Sequence, residues 1–204
     1  MAKPIPAAAS THPPLVFDTG VLLSLALDQA ITQTLKNFWV GRPQKLIVPQ
    51  DVIGELRYAE HPEYMGSIPK GQAGPAIKTA TYLAGSSVKL DPEQHALAKS
   101  EFHELLADSD NDPKHWGEAA AAQIATEQGG VVVLEDLTAR LVLQRHVRCA
   151  SLWEILYQRL GDGRLTDAGV NAFIHTLRAA GRPNFDGFTA ADVRASKCHP
   201  ALLH

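Results

Sequence analysis

Cysteine is almost missing from this 204-residue chain, with only Cys149 and Cys198 present. Two cysteines cannot staple a loop-rich secreted fold, so the expected setting is a reducing, cytoplasmic one. Long apolar runs are missing as well. No stretch approaches the roughly 20 apolar residues needed to span a bilayer, and no membrane partner is expected. The opening residues MAKPIPAAASTHPP lack the apolar block of a secretory signal. Positive charge is not in excess either: 19 Lys and Arg face 22 Asp and Glu, for a formal net charge of -3. That excludes a broad basic coat for nucleic acid. There is no GxxxxGK[ST] phosphate loop, no HExxH and no Cys/His zinc spacing. Ser24 and Ser151 have no nucleophile-elbow context. Gly161-Asp162-Gly163 follows a helical stretch and lacks a third glycine, so it marks a turn and not a dinucleotide fingerprint. A receiver-like phosphoacceptor domain would need a lysine near a final strand, and none is suitably placed.

What is present describes a globular protein. The chain is 45% hydrophobic and 20% charged, and it is long enough to bury a sizeable core. Its charge is uneven. Eight acids (Asp91, Glu93, Glu101, Glu104, Asp108, Asp110, Asp112 and Glu118) face Lys99 and Lys114. Five arginines (Arg140, Arg145, Arg148, Arg159 and Arg164) face Glu154 and Asp162. These are either two solvated helix faces or an acidic site beside a basic flank.

Short apolar runs alternate with helical patterns. Leu15-Val16-Phe17, Leu46-Ile47-Val48 and Val131-Val132-Val133 are continuously apolar, as expected of strands buried on both faces. Val147–Ala150 is a candidate edge strand. Between them lie helical patterns over VLLSLALDQAITQTLKNF, QDVIGELRYAE, about 76–84, 92–107, HWGEAAAAQIATEQ and LTARLVLQRH, with two more at about 151–160 and 166–180. Residues 61–75 carry three prolines and three glycines and form a loop or insertion. The alternation predicts an α/β fold with a central parallel sheet flanked by helices in three layers. The expected organisation is a lead-in over residues 1–13, a domain over 14–160 and a C-terminal helical extension and tail over 161–204. Trp39, Trp116 and Trp153 fill core gaps or interfaces, and Trp116 alternatively lines the site.

In such folds, sites lie at the carboxyl ends of the strands. Asp18 ends the first strand and Asp136 ends the VVVLE run. Either one alone is an ordinary helix cap. Glu55 and Glu118 lie on helices that would project toward the same rim, and alone each is an ordinary helix residue. Two carboxylates about 5 Å apart repel by roughly 3 kcal/mol at an effective dielectric near 20. Such a group is therefore either partly protonated or neutralised by a divalent metal. An oxygen-only set without a neighbouring Cys or His selects Mg²⁺ or Mn²⁺ over Zn²⁺.

VFDTGVLLSL, VPQDVIGEL and GEAAAAQIATEQGGVVVLEDLTAR, in that order, resemble the successive acidic motifs of PIN-domain nucleases, and of the VapC ribonuclease toxins among them. ASLWEILYQRLGDGRLTDAGVNAFIHTLRAAGRPNF is similar to the C-terminal helices of one PIN branch. The likeness spans roughly residues 14–185. It implies a PIN-like fold and Mg²⁺- or Mn²⁺-dependent hydrolysis of RNA phosphodiester bonds. It places the metal-binding and catalytic acids on Asp18, Glu55, Glu118 and Asp136, with Glu55 either a ligand or a water-orienter. Thr19 takes the supporting hydroxyl position. Glu135 stands where many relatives have Thr, Ser or Asp. The resemblance further implies an antitoxin partner and a homodimer. Arg140, Arg145 and Arg148 are candidate contacts for RNA phosphates beside the site. A non-catalytic platform that binds RNA or protein is the alternative.

Overall fold

The computed structural model describes residues 13–39, 45–64, 66–106, 115–161, 163–181 and 189–191. Four short strands form one sheet: β1 (Leu15–Phe17), β2 (Leu46–Ile47), β3 (Val131–Val133) and β4 (Cys149–Ala150). Their order is β2-β1-β3-β4, and every pair is parallel. Leu15, Val16 and Phe17 pair with Val131, Val132 and Val133 at the centre, and β4 is an edge strand as the sequence predicts.

Because side chains alternate across a strand, the sheet splits the core in two. Leu15, Phe17, Val131, Val133 and Ala150 face one apolar cluster, and Val16, Ile47, Val132, Leu134 and Cys149 face another. The first cluster is covered by α1 (Thr19–Leu25), α2 (Gln29–Trp39), α3 (Gln50–Ala59), α4 (Ala73–Ala84), α9 (Leu152–Gly161) and α10 (Asp167–Ala179). The second is covered by α5 (Pro92–Ala98) with its π-helical continuation Lys99–His103, and by α7 (Trp116–Gln128). The short α6 (Glu104–Leu106) and α8 (Leu137–Leu143) complete the described elements. The protein is thus α/β with a parallel sheet between apolar layers. Val170, Phe173, Ile174 and Leu177 of α10 join the first cluster, so this C-terminal helix packs on the same core as the strands.

Local chemistry explains the boundaries. The single helix expected over residues 21–38 is two helices. Asp28 accepts from the Ala30 and Ile31 amides at 2.9 and 3.1 Å and starts α2 afresh after a turn. α7 is an Ala-rich helix buried along most of its length: Ala119, Ala120, Ala121 and Ala122 are all fully buried, and their small side chains let it lie close against β1 and β3. It ends at Gly129, whose φ of 63° is left-handed and costs glycine little. Residues 1–12 of the expected 1–13 lead-in, residues 107–114 with three of the eight acids, and most of the chain after Gly181, Cys198 included, lie outside the described residues. Among the described residues no helix is long and apolar enough to cross a membrane.

Candidate active site

Asp18 follows β1 directly and is 2% exposed. Its backbone is extended and its carboxylate accepts from the Val21 amide at 2.9 Å, so it caps α1. Capping accounts for one oxygen of a carboxylate buried in the floor of the site. Burial first, then the charge of Glu118, then those of Glu135 and Glu55, hold its pKa well above the usual carboxylate range, against the lowering pull of the Val21 amide. Asp18 therefore lies within electrostatic reach of acids contributed by α3, α7 and the segment after β3.

Glu55 is tied across the site. One carboxylate oxygen accepts from the Thr19 hydroxyl at 2.5 Å and the other from the Gly117 amide at 2.7 Å. Thr19 thus supports Glu55. Burial and the Glu118 charge push the Glu55 carboxyl up to about 7, against the lowering effects of these two hydrogen bonds and of His115. Gly117 is required by space: a Cβ there would stand 2.7 Å from a Glu55 oxygen and 3.0 Å from Val52 Cγ2. Glu118, one residue on, is half-buried in the first turn of α7, where a negative charge faces the positive end of the helix dipole.

The fourth predicted acid is not buried with the other three. Asp136 is exposed and caps α8, accepting from the Ala139 amide at 2.9 Å. The acid that enters the cluster is its neighbour Glu135. Val133 faces the first apolar layer and Leu134 the second; just past the strand Glu135 meets α1 at Ser24, while Asp136 is exposed. Ser24 on α1 donates to Glu135 Oε2 at 2.7 Å. The structure thus groups Asp18, Glu55 and Glu118, and Glu135 completes the set of four.

A histidine also belongs here. His115 Nδ1 lies 3.4 Å from Glu118 Oε1, so the site is not free of nitrogen donors as the sequence reading assumes. His115 has a φ of 67°, the one left-handed non-glycine among the described residues. Its position three residues before Glu118 is the signal that sequence inspection passes over.

Two of the three predicted arginines, Arg145 and Arg148, lie away from the acids. Arg148 precedes β4 and donates to the Gly129 carbonyl, which precedes β3. In a parallel sheet both points lie at the amino ends of the strands. Asp18 and Glu135 lie at the carboxyl ends, about 10 Å away along a three-residue strand. Arg145 is exposed in the turn after α8 and lines a shallow cavity with His146 and Arg148 at that amino end. Arg140 is nearer the rim, half-buried and paired with Glu154 Oε2 at 3.6 Å. Arg159 is 2% exposed, so the basic segment is not one surface.

The donor chemistry of the four acids fits a hard divalent cation. They are oxygen donors from separate elements, crowded enough to hold at least two pKa values up. In the side-chain arrangement described, no three His, Cys, Asp or Glu residues among the described residues already converge on one ion position. No known protein-family model matches the chain, and no curated protein matches it.

Proposed function

We propose that this protein is a metal-dependent endoribonuclease with a PIN-like fold. The observation that supports the reading is the buried Asp18 carboxylate at the carboxyl end of a parallel sheet, in electrostatic contact with Glu118, Glu135 and Glu55. Uncompensated, that arrangement is costly, and a cation relieves the cost. Asp18, Glu118 and Glu135 would hold Mg²⁺ or Mn²⁺, with Glu55 as a further ligand or as the group orienting water. A bound cation of this kind supplies a water of lowered pKa and a counter-charge for the departing oxygen of a phosphodiester. Asp18 is fixed for this task by its bond from Val21, and Glu55 by its bonds from Thr19 and Gly117. His115 restrains Glu118, and an imidazole beside carboxylates shifts the preference from Mg²⁺ toward Mn²⁺.

The test is RNA cleavage with Mn²⁺ by the wild type and by Asp18→Asn. Asparagine keeps the helix cap and removes the charge. The expected outcome is a folded variant whose cleavage falls by a factor on the order of 10² or more. Equal cleavage by both proteins would sink the proposal. Toxicity on expression that Asp18→Asn relieves would extend the reading to the toxin of a two-protein module with an antitoxin.

One observation favours a second reading, a non-catalytic platform for RNA or protein. Both oxygens of Glu55 are already engaged by protein donors. Calorimetric titration with Mn²⁺ separates the two, since the platform binds no metal near millimolar concentration.

A further inference from the structure

Beside the acidic rim, three rings from three segments run parallel. His103, on the π-helical turn, stacks on Trp116 with centroids 4.1 Å apart and planes 19° apart. His95 of α5 stacks on Trp116 at 4.7 Å and 18°. His103 is 2% exposed, whereas the His95 side chain is 47% exposed, so the stack runs from core to solvent. Two unusual pieces of backbone build it. The π-helical turn Lys99–His103 changes the winding of the chain just where His103 must turn inward. The left-handed His115 launches α7 so that Trp116 lies under the imidazoles.

The stack is tied to the acids on both sides. Trp116 is followed by Gly117, whose amide binds Glu55. Asp51 Oδ1 stands 3.4 Å from His95 Nε2, beside the exposed ring. Asp51 and Glu55 are four residues apart on α3, so they share one face of that helix, about 6 Å apart. The solvent end of the stack therefore stands one helical turn from a site acid.

We infer that this stack is a base platform. The exposed His95 ring, backed by Trp116, takes the nucleobase adjoining the scissile phosphate of single-stranded RNA. This inference rests on the acidic rim being a phosphodiester site. Stacking suits the place because every base has a π-face, and unpaired RNA offers its bases freely. It also supplies attraction where the carboxylates around it repel phosphate.

The experiment compares two fluorescein-labelled octamers, an oligouridylate and an abasic ribose-phosphate strand of equal length, bound to the full chain in EDTA. The wild type is expected to prefer the base-bearing strand by about tenfold. His95→Ala should abolish that preference, and His95→Phe, which keeps a flat ring, should retain it. Equal binding of both strands by the wild type overturns the platform, as does a preference that survives His95→Ala. Loss of the preference in His95→Phe also overturns it, since a contact specific to imidazole would then be responsible. The two readings fail separately. A base preference without Mn²⁺-dependent cleavage leaves the platform and sinks the nuclease, and cleavage without a base preference does the reverse.

Discussion

At the carboxyl end of the sheet, α1, α3, α7 and the segment after β3 bring Asp18, Glu55, Glu118 and Glu135 within electrostatic reach of one another. At the amino end, a single turn presents Arg145 and Arg148, and Arg148 is bound to the Gly129 carbonyl. Among the described residues neither arginine pairs with a carboxylate. The two ends differ in what their charges cost. Arg145 is exposed and solvated and Arg148 is half-buried with a carbonyl partner, so neither charge costs the fold much and their presence carries little information. Like charges buried against one another lower stability, and a chain that keeps them has arranged its most constrained residues for something other than folding.

The sharpest way to break this contrast is within the acidic end itself, where two adjacent acids have opposite surroundings. Glu135→Gln should lower Mn²⁺-dependent cleavage by a factor on the order of 10². Asp136→Asn keeps the cap of α8 and should leave cleavage within about twofold of wild type. Steady-state rates of the two variants decide the matter, and the reverse order would return the fourth acid to Asp136.

Next in size is a pH effect on stability. The Glu55 carboxyl titrates at about 7 in the folded protein against an ordinary value of 4.5, so the folded state binds this proton more tightly than the unfolded state. The stability it contributes is fully present below about 4.5 and is lost as pH rises through about 7. Asp18, also raised, acts in the same direction. Metal-free protein should therefore melt on the order of 5–10 °C lower at pH 7.5 than at pH 4.5 from these groups. Glu55→Gln should flatten the slope, and saturating Mn²⁺ should raise the neutral-pH melting temperature. A slope unchanged in Glu55→Gln, followed by differential scanning fluorimetry, would place the proton elsewhere.

The smallest effect is expected at the amino end. Arg148→Ala removes the bond to Gly129 and should cost about 1 kcal/mol of stability. Cleavage by Arg148→Ala and by Arg145→Ala should stay within about twofold of wild type, with an unchanged dependence on salt. A large fall in the salt slope would show that RNA reaches around to this edge.

Much of the fold is legible along the chain because its causes are local. Pro49 closes β2 before α3, Gly129 ends α7 through its left-handed φ, and Thr166 starts α10 by accepting from the Gly169 amide. Asp28 is equally local, yet the apolar spacing across it imitates one long helix. The site is legible in part. Asp18, Glu55 and Glu118 are found from their places after a strand and on helices, whereas Glu135 is hidden because two acids stand side by side. The arginines mislead for a related reason. Their spacing in sequence says that they are near one another, and nothing in it says which end of the sheet they occupy.

By itself the sequence determined the alternation of short apolar strands with helices, and so a parallel sheet whose carboxyl ends carry Asp18 and the acids after β3. Those features depend on residue type and on neighbours a few positions away. Only the tertiary structure decided that Glu135 faces α1 while Asp136 faces solvent, that Arg148 sits at the far end of the sheet, and that His95, Trp116 and His103 form one stack. These outcomes are set by contacts between segments far apart in the chain: Ser24 with Glu135, Gly129 with Arg148, α5 with α7. A period of two residues gives a side chain's face once the strand's orientation is known, and packing against the helices is what fixes that orientation.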